Sequence, residues 1–218
     1  NTNNNFKFKI DNTVLKNEDS NKINLSFDSS PKIKINNRVI FINDKDTEQS
    51  NIGIYFPSYP DHNINNFYVS VLTSIISIRM TKIIREKYGF TYAIESNYTT
   101  YCDTGLWSIY FGTEAQSVKK TLKLIFKELK KLRDVKLGPL QLQRAKQQLI
   151  GQLAIAQENK CNLMQNIAKS YQSFGRVESM EEVKHKITAI TAKDLQEVAQ
   201  EIFNEDLLSS ILFEPKEL

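Results

Sequence analysis

Apolar residues crowd nearly the whole helical circumference between Phe67 and Ile84, whereas elsewhere they alternate or keep to one stripe. A helix that is apolar all round is buried on several sides. The stretch 62–87 is therefore predicted as the central helix, with Asp61 as its N-cap after the loop Pro57-Ser58-Tyr59-Pro60. Ahead of it, Lys32 to Ile35 alternates at period two, Arg38 to Ile42 is rich in β-branched residues, and Asn51 to Phe56 follows Asn43-Asp44-Lys45-Asp46. That pattern predicts a β-hairpin closed at the Asn43–Asp46 turn, preceded by a short strand at Asn24 to Phe27. Behind the central helix, Gly89 marks a stop. Phe90 to Tyr101 and Leu106 to Gly112 alternate about Asp103-Thr104-Gly105, which predicts a second hairpin.

The remainder reads as helices and one last strand. Thr113 with Gln116 has the form of a capping box. Val118, Leu122, Ile125, Leu129 and Leu132 make a stripe opposite Lys119, Lys120, Lys123, Lys127, Lys130 and Lys131, a basic face expected to be solvated. Pro139 suits the first turn of a helix reaching Glu158, and a further helix ends near Gly175. Ser179 with Glu182 and Thr191 with Asp194 start two shorter helices, and Leu207 to Phe213 closes the chain as a strand. Strands, buried helix, strands, helices, strand is the order of an α+β fold: an antiparallel-rich sheet with helices packed mainly on one face. The polar residues 1–30 are expected to be an entry or linker segment, and 31–218 a single domain.

Charge and cysteine content narrow the function classes. The net charge of +4 sits largely on the one lysine face, which gives nucleic-acid binding little support. Cys102 and Cys161 match no metal or redox spacing and are expected to be free thiols. The N-terminus shows no signal peptide and leaves location open. The longest apolar run, Phe67 to Ile78, falls short of the roughly 20 residues of a membrane span.

Catalytic constellations are scarce. Zinc hydrolysis takes about three protein ligands, a bound water and a general base, and the chain has only His62 and His185, far apart in sequence. His62 lies at a helix start and His185 between Lys184 and Lys186, so both are expected at the surface. No G-x-S-x-G elbow, no Cys–His pairing and no phosphate-cradling glycine loop is present. What remains is Arg85 and Tyr92 in Ile84-Arg85-Glu86-Lys87-Tyr88-Gly89-Phe90-Thr91-Tyr92. A guanidinium fork and a phenol are donors with no nucleophile beside them. They suit holding a peptide backbone and steadying an oxyanion while the bond-breaking chemistry comes from elsewhere. The plainer reading is an Arg that satisfies helix C-terminal carbonyls and a strand Tyr packed on its neighbours.

In order and spacing, Ser77-Ile78-Arg79-Met80, Ile84-Arg85-Glu86-Lys87 and Tyr88-Gly89-Phe90-Thr91-Tyr92 resemble the S-R-L…L-R-E-K-x-G-L-x-Y signature of the M16 metallopeptidases. That signature belongs to the zinc-free half of these pitrilysin-like and mitochondrial-processing-peptidase-like enzymes. Gln49 to Pro57, Gly105 to Ile109, Arg144 to Leu149, Glu158 and Thr188 to Val198 are similar to further family segments, so the likeness runs over about 31–214. The resemblance implies a LuxS/MPP-like metallohydrolase fold and no metal in this chain, with zinc in a partner half that carries H-x-x-E-H. It also implies a peptide substrate, a substrate-binding role for Arg85, and Tyr92 as oxyanion donor in trans. The chain alone would then be inactive, one part of a zinc metalloendopeptidase. A catalytically silent scaffold subunit, or a peptide-binding module using an exposed sheet edge, stands as the alternative. The family often has glycines just before S-R-L where this chain has Thr73-Ser74-Ile75-Ile76, bulk expected to affect the packing behind Arg85.

Overall fold

Alternation along two strands sets the core. Strand β2 (Ser50–Ser58) and strand β4 (Gly105–Thr113) run antiparallel, with Ile52 opposite Phe111, Ile54 opposite Ile109 and Phe56 opposite Trp107. All six side chains are buried, because period-two geometry sends them to one face. Leu106 and Tyr110 go to the other face and are exposed. Phe203 seats against the rings of Trp107 and Phe56, at centroid distances of 4.7 and 5.7 Å. This computed structural model describes residues 39–44 and 48–215. The expected segment 1–30, the strand at Asn24 to Phe27 and the alternating Lys32 to Ile35 lie outside them.

Among the described residues the sheet has five strands in the order β1-β5-β2-β4-β3, with β1 at Val39–Asp44, β3 at Ile94–Thr100 and β5 at Ser209–Pro215. The hairpin of β3 and β4 forms as expected. The predicted hairpin of β1 and β2 does not. The last strand lies between them, antiparallel to β2 and parallel to β1. Stepping over one strand means covering two spacings of about 4.8 Å. A connection of about five residues reaches that easily at ~3.3 Å each. The turn-forming residues are therefore compatible with either pairing, and Ile211 to Phe213 supply the strand that takes the place.

Helix α1 (Asn66–Met80) crosses the inner face and touches β3, α2 (Val118–Asp134), α3 (Pro139–Glu158), α5 (Met180–Ala189) and α6 (Ala192–Ile202). It buries Val69, Val71, Leu72, Ile75, Ile76 and Met80, which is the central placement its all-round apolarity predicts. With the segment that continues it to Lys87, it is long and apolar enough to cross a membrane by length and composition. Here that apolar surface is met by the sheet and by four helices. Asp61 is not its N-cap. The amide of Asn66 donates to the carbonyls of Pro60 and Asp61 at 2.8 Å each, Asn63 Oδ1 accepts from Asn65 N–H, and the Asp61 N–H donates to Tyr101. Asparagine side chains bonding nearby backbone hold the turn in non-helical form and delay the helix to Asn66.

The Thr113–Gln116 capping box is also absent. Thr113 ends β4, its hydroxyl donates to Phe90 instead, and the helical turn after it is 3-10. Pro139 begins α3, Gly175 closes α4 (Lys160–Phe174) at φ +66, and both capping boxes at Ser179–Glu182 and Thr191–Asp194 form. In the first of these the backbone N–H of Ser179, assisted by Arg176, holds the Glu182 carboxyl down at about 2 against its ordinary 4.5. A depressed acid contributes stability that is complete above its unfolded pKa and lost as pH falls through the folded one. Amide exchange at Glu182 and Val183 is therefore expected to accelerate between pH 4.5 and 2, beyond the intrinsic trend. Equal protection across that window would show that the carboxylate does not hold this end.

The lysine face of α2 is exposed as expected, with one addition. Lys131 Nζ donates at 2.5 Å to Glu128, whose side chain is buried and also faces Arg79 Nη1 at 3.7 Å. Glu128 falls on the buried side of α2 together with Thr121, Ile125 and Leu132. Its i, i+4, i+7, i+11 spacing with them carried that information, obscured by its charge.

Candidate functional site

The helix that carries Arg85 ends in an unusual way. From Thr81 to Lys87 it widens to a π-helix, a form that recurs at functional positions. The Tyr88 N–H donates to Ile83 at 3.2 Å, Gly89 N–H to Arg85 at 3.1 Å and Phe90 N–H to Ile84 at 3.0 Å. Gly89 lies at φ +64, the left-handed conformation that glycine adopts without strain at such an end. These backbone bonds already satisfy the terminal carbonyls of Ile83, Ile84 and Arg85. The Arg85 guanidinium is not used for that task. Its side chain is exposed and has no hydrogen-bond or ion-pair partner among the described residues.

Phe90 to Ala93 do not form the expected opening of a strand, since β3 begins only at Ile94. Two threonines fix this loop to the end of β4. Thr113 Oγ1 donates to the Phe90 carbonyl at 2.5 Å, and Thr91 Oγ1 lies 2.6 Å from the Gly112 carbonyl and 2.7 Å from that of Ala93. Both threonines are buried, and buried polar groups that find partners hold their surroundings in one arrangement. Tyr88 and Phe90 stack with centroids 5.4 Å apart. Between the pinned residues on either side, the Tyr92 side chain is 83% exposed and has no partner among the described residues. A strand tyrosine packed on its neighbours is thus not what the fold contains. The backbone is held and the phenol is free.

The rest of the signature segment is structural. Ser77 Oγ and Ser96 Oγ are 2.5 Å apart, joining α1 to β3, and Arg79 Nη2 donates to Gln141 of α3 at 3.1 Å. Thr73, where the family often has glycine, accepts from the Trp107 indole N–H at 3.0 Å, and its carbonyl accepts from Ser96 Oγ at 3.1 Å. Ile75 and Ile76 are buried. The extra bulk before Arg79 is taken up inside the core and does not enter the space around Arg85. Lys146, in the Arg144–Leu149 segment, donates to the Thr188 carbonyl at 2.7 Å, and burial lowers its pKa.

A polar cluster at the other end of α1 fastens it in place. Tyr59 donates to Glu201, and Tyr98 hydrogen-bonds Asn66 and the Tyr59 carbonyl. Burial pushes the Tyr98 phenol up to about 12, with the charge of Asp61 adding to it, and raises Tyr59 further with help from Glu201. Both remain neutral donors at ordinary pH and join β2, β3, α1 and α6.

No group of three or more His, Cys, Asp or Glu side chains comes together among the described residues. His62 is exposed in the turn before α1, with Nδ1 3.6 Å from Asp61, and His185 is exposed on α5. Cys102 and Cys161 are free and exposed. The residues present do not fit zinc. What these residues offer is an exposed guanidinium fork and an exposed phenol on a held loop, donors suited to grip and polarise a carbonyl-bearing ligand. The sequence marked Arg85 and Tyr92, and the fold adds that both side chains are exposed. The threonine latch was missed, and only the register of β4 against the loop reveals it.

Comparisons with known proteins bear on the family and the fold. The profile of the peptidase M16 inactive domain matches residues 13–149. A protein of Rickettsia felis named an uncharacterized zinc protease is 36% identical over 181 residues, which are 79% of this chain and 42% of the relative. Mitochondrial-processing peptidase subunit beta of Saccharomyces cerevisiae is 29% identical over 44% of this chain and 21% of its own length. The fold is shared with a protease from Helicobacter pylori (TM-score 0.76, 15% identity, 92% of this chain and 49% of that one). It is also shared with a peptidase M16 inactive domain from Pseudomonas fluorescens (TM-score 0.73, 18% identity, 84% and 44%). The chain spans about two fifths of the length of the Rickettsia relatives it matches, 42% in each case. By the profile that covers more than half of its length, this chain belongs to the peptidase M16 inactive-domain family, on the α+β fold its sequence predicts.

Proposed function

We propose that this chain is the substrate-binding, zinc-free half of an M16-type zinc metallopeptidase, closing a chamber over peptide held by a half that carries H-x-x-E-H. The observation that supports this most is the contrast at the site: the backbone is bonded through Gly89, Phe90 and Thr91, while Arg85 and Tyr92 stay unengaged and exposed. Arg85 orients the peptide backbone through its fork of donors. Tyr92 donates to the oxyanion that develops when the scissile carbonyl is attacked. Holding the backbone beforehand leaves only the side-chain torsions of the phenol to settle when the charge appears, which lowers the reorganisation that a preset donor avoids.

A chain of complex III2 from Candida albicans shares the fold at TM-score 0.72 and 18% identity, and a place in a larger complex is what the scaffold alternative would give this chain. A scaffold, however, gives no reason for a loop latched to hold a free phenol. The chain alone is expected to retain no stoichiometric zinc after dialysis and to leave peptides intact. Joined to an H-x-x-E-H half, it is expected to support hydrolysis that a chelator stops. Metal analysis and a peptide-digestion assay check both arms. Tightly held zinc in the single chain, or joined halves that cleave nothing, would overturn the proposal.

A further inference from the structure

A cleft of about 190 Å³ opens beside Tyr92, between the loop Gly89 to Tyr92 and the segment Gly112 to Glu114, with Gln49 and Ser117 at its ends. Its size decides what it takes. A single water needs roughly 10–15 Å³, and a whole small-molecule ligand usually occupies roughly 300–1,000 Å³. The cleft lies between these and suits one amino-acid side chain.

Its walls decide the chemistry. The hydroxyls of Thr91 and Thr113 are already committed to the backbone carbonyls of Gly112, Ala93 and Phe90. Gly89 and Gly112 contribute no side chains. Glu114 is the charged residue in the lining, and one of its carboxylate oxygens accepts from Gln116 at 2.7 Å while the other has no partner among the described residues. The first turn of α2 partly opposes this charge, since a helix N-terminus carries only about half a unit of positive charge against the full unit on the carboxylate.

We infer that this cleft is a specificity subsite of the peptide site, receiving a cationic side chain, Lys or Arg, that Glu114 selects. The inference rests on the proposed function, because Tyr92 is at once a wall of the cleft and the donor at the scissile carbonyl. A peptide held at Tyr92 has its neighbouring side chains within reach of the cleft. Glu114 acts on the choice of substrate and takes no part in bond breaking.

The probe is a set of octapeptides identical except at one position, which holds Lys, norleucine or Glu. Added to the ¹⁵N-labelled chain, the Lys peptide is expected to shift the amides of Gly89, Thr91, Tyr92, Gly112, Glu114 and Ser117. It should bind about two- to five-fold more tightly than the norleucine peptide, the range of an exposed ion pair. Glu114→Gln, which keeps the shape of an exposed side chain, should bring Lys and norleucine level, and Glu114→Lys should favour the Glu peptide. Shifts elsewhere, no shifts at millimolar peptide, or a Lys preference that survives Glu114→Gln overturns the inference. With the joined halves, kcat/KM ratios across the same peptides separate the two ideas. If Tyr92→Phe slows all peptides equally and Glu114→Gln leaves the ratios unchanged, the subsite is wrong and the donor role stands. If Glu114 sets the ratios and Tyr92→Phe changes nothing, the donor role is wrong and the subsite stands.

Discussion

Tyr92→Phe, introduced into this chain and assayed with an H-x-x-E-H half, is expected to lower kcat about 100- to 1,000-fold while KM changes little. That is the usual cost of removing one oxyanion donor. The ring stays and only the hydroxyl goes, so the loss falls on the charge that develops during reaction and leaves ground-state binding intact. Arg85→Lys keeps a charge but loses the planar fork, and it should raise KM as well as lower kcat. Neither side chain has a partner among the described residues, and Tyr92 is 83% exposed. Thermal stability should therefore hold in both variants, which separates a role in reaction from a role in folding. Turnover near normal in both would reduce the pair to surface residues and bring the scaffold alternative forward.

The largest effect on folding is expected at the centre of α1. Leu72 is 1% exposed, in a helix covered by β3 on one side and helices on the others. Leu72→Ala removes buried methyl groups from a site that cannot collapse from any one direction, and should cost about 2–5 kcal/mol in a denaturant melt. A loss below about 0.5 kcal/mol, the level of an ordinary surface change, would place the helix at the periphery.

Local chemistry was legible in the sequence wherever it was self-contained. The two capping boxes, Pro139 at a helix start, Gly175 and Gly89 at helix ends and the burial of α1 all depend on residues a few positions apart. The errors share one cause. Whether Asn43 to Asp46 closes a hairpin depends on a strand more than 160 residues further on, whose apolar run fits beside β2. Thr113 was read as a cap because the carbonyl of Phe90, its real partner, lies on another element. Glu128 drew no expectation from the sequence, because Arg79, its partner on α1, is brought to it only by packing. Arg85 and Tyr92 were marked by their spacing together with the family resemblance. The freedom of their side chains was not, since nothing local tells whether the helix carbonyls take backbone donors or the guanidinium.

The π-helical turn from Thr81 to Lys87 sets stability against alignment. Its i→i+5 bonding takes in more residues per turn than the α-helix it interrupts. Deleting a single residue there would let the ladder close in ordinary α form. The same deletion would rotate everything behind it by about 100°, one residue's share of a 3.6-residue turn. Arg85 would swing to another side of the helix while Tyr92, latched to β4 by Thr91 and Thr113, stayed where it is. Length in this segment is thus under a constraint that composition is not: substitutions that keep the count can be absorbed, whereas a one-residue shortening would mend the helix and turn Arg85 to another bearing relative to Tyr92.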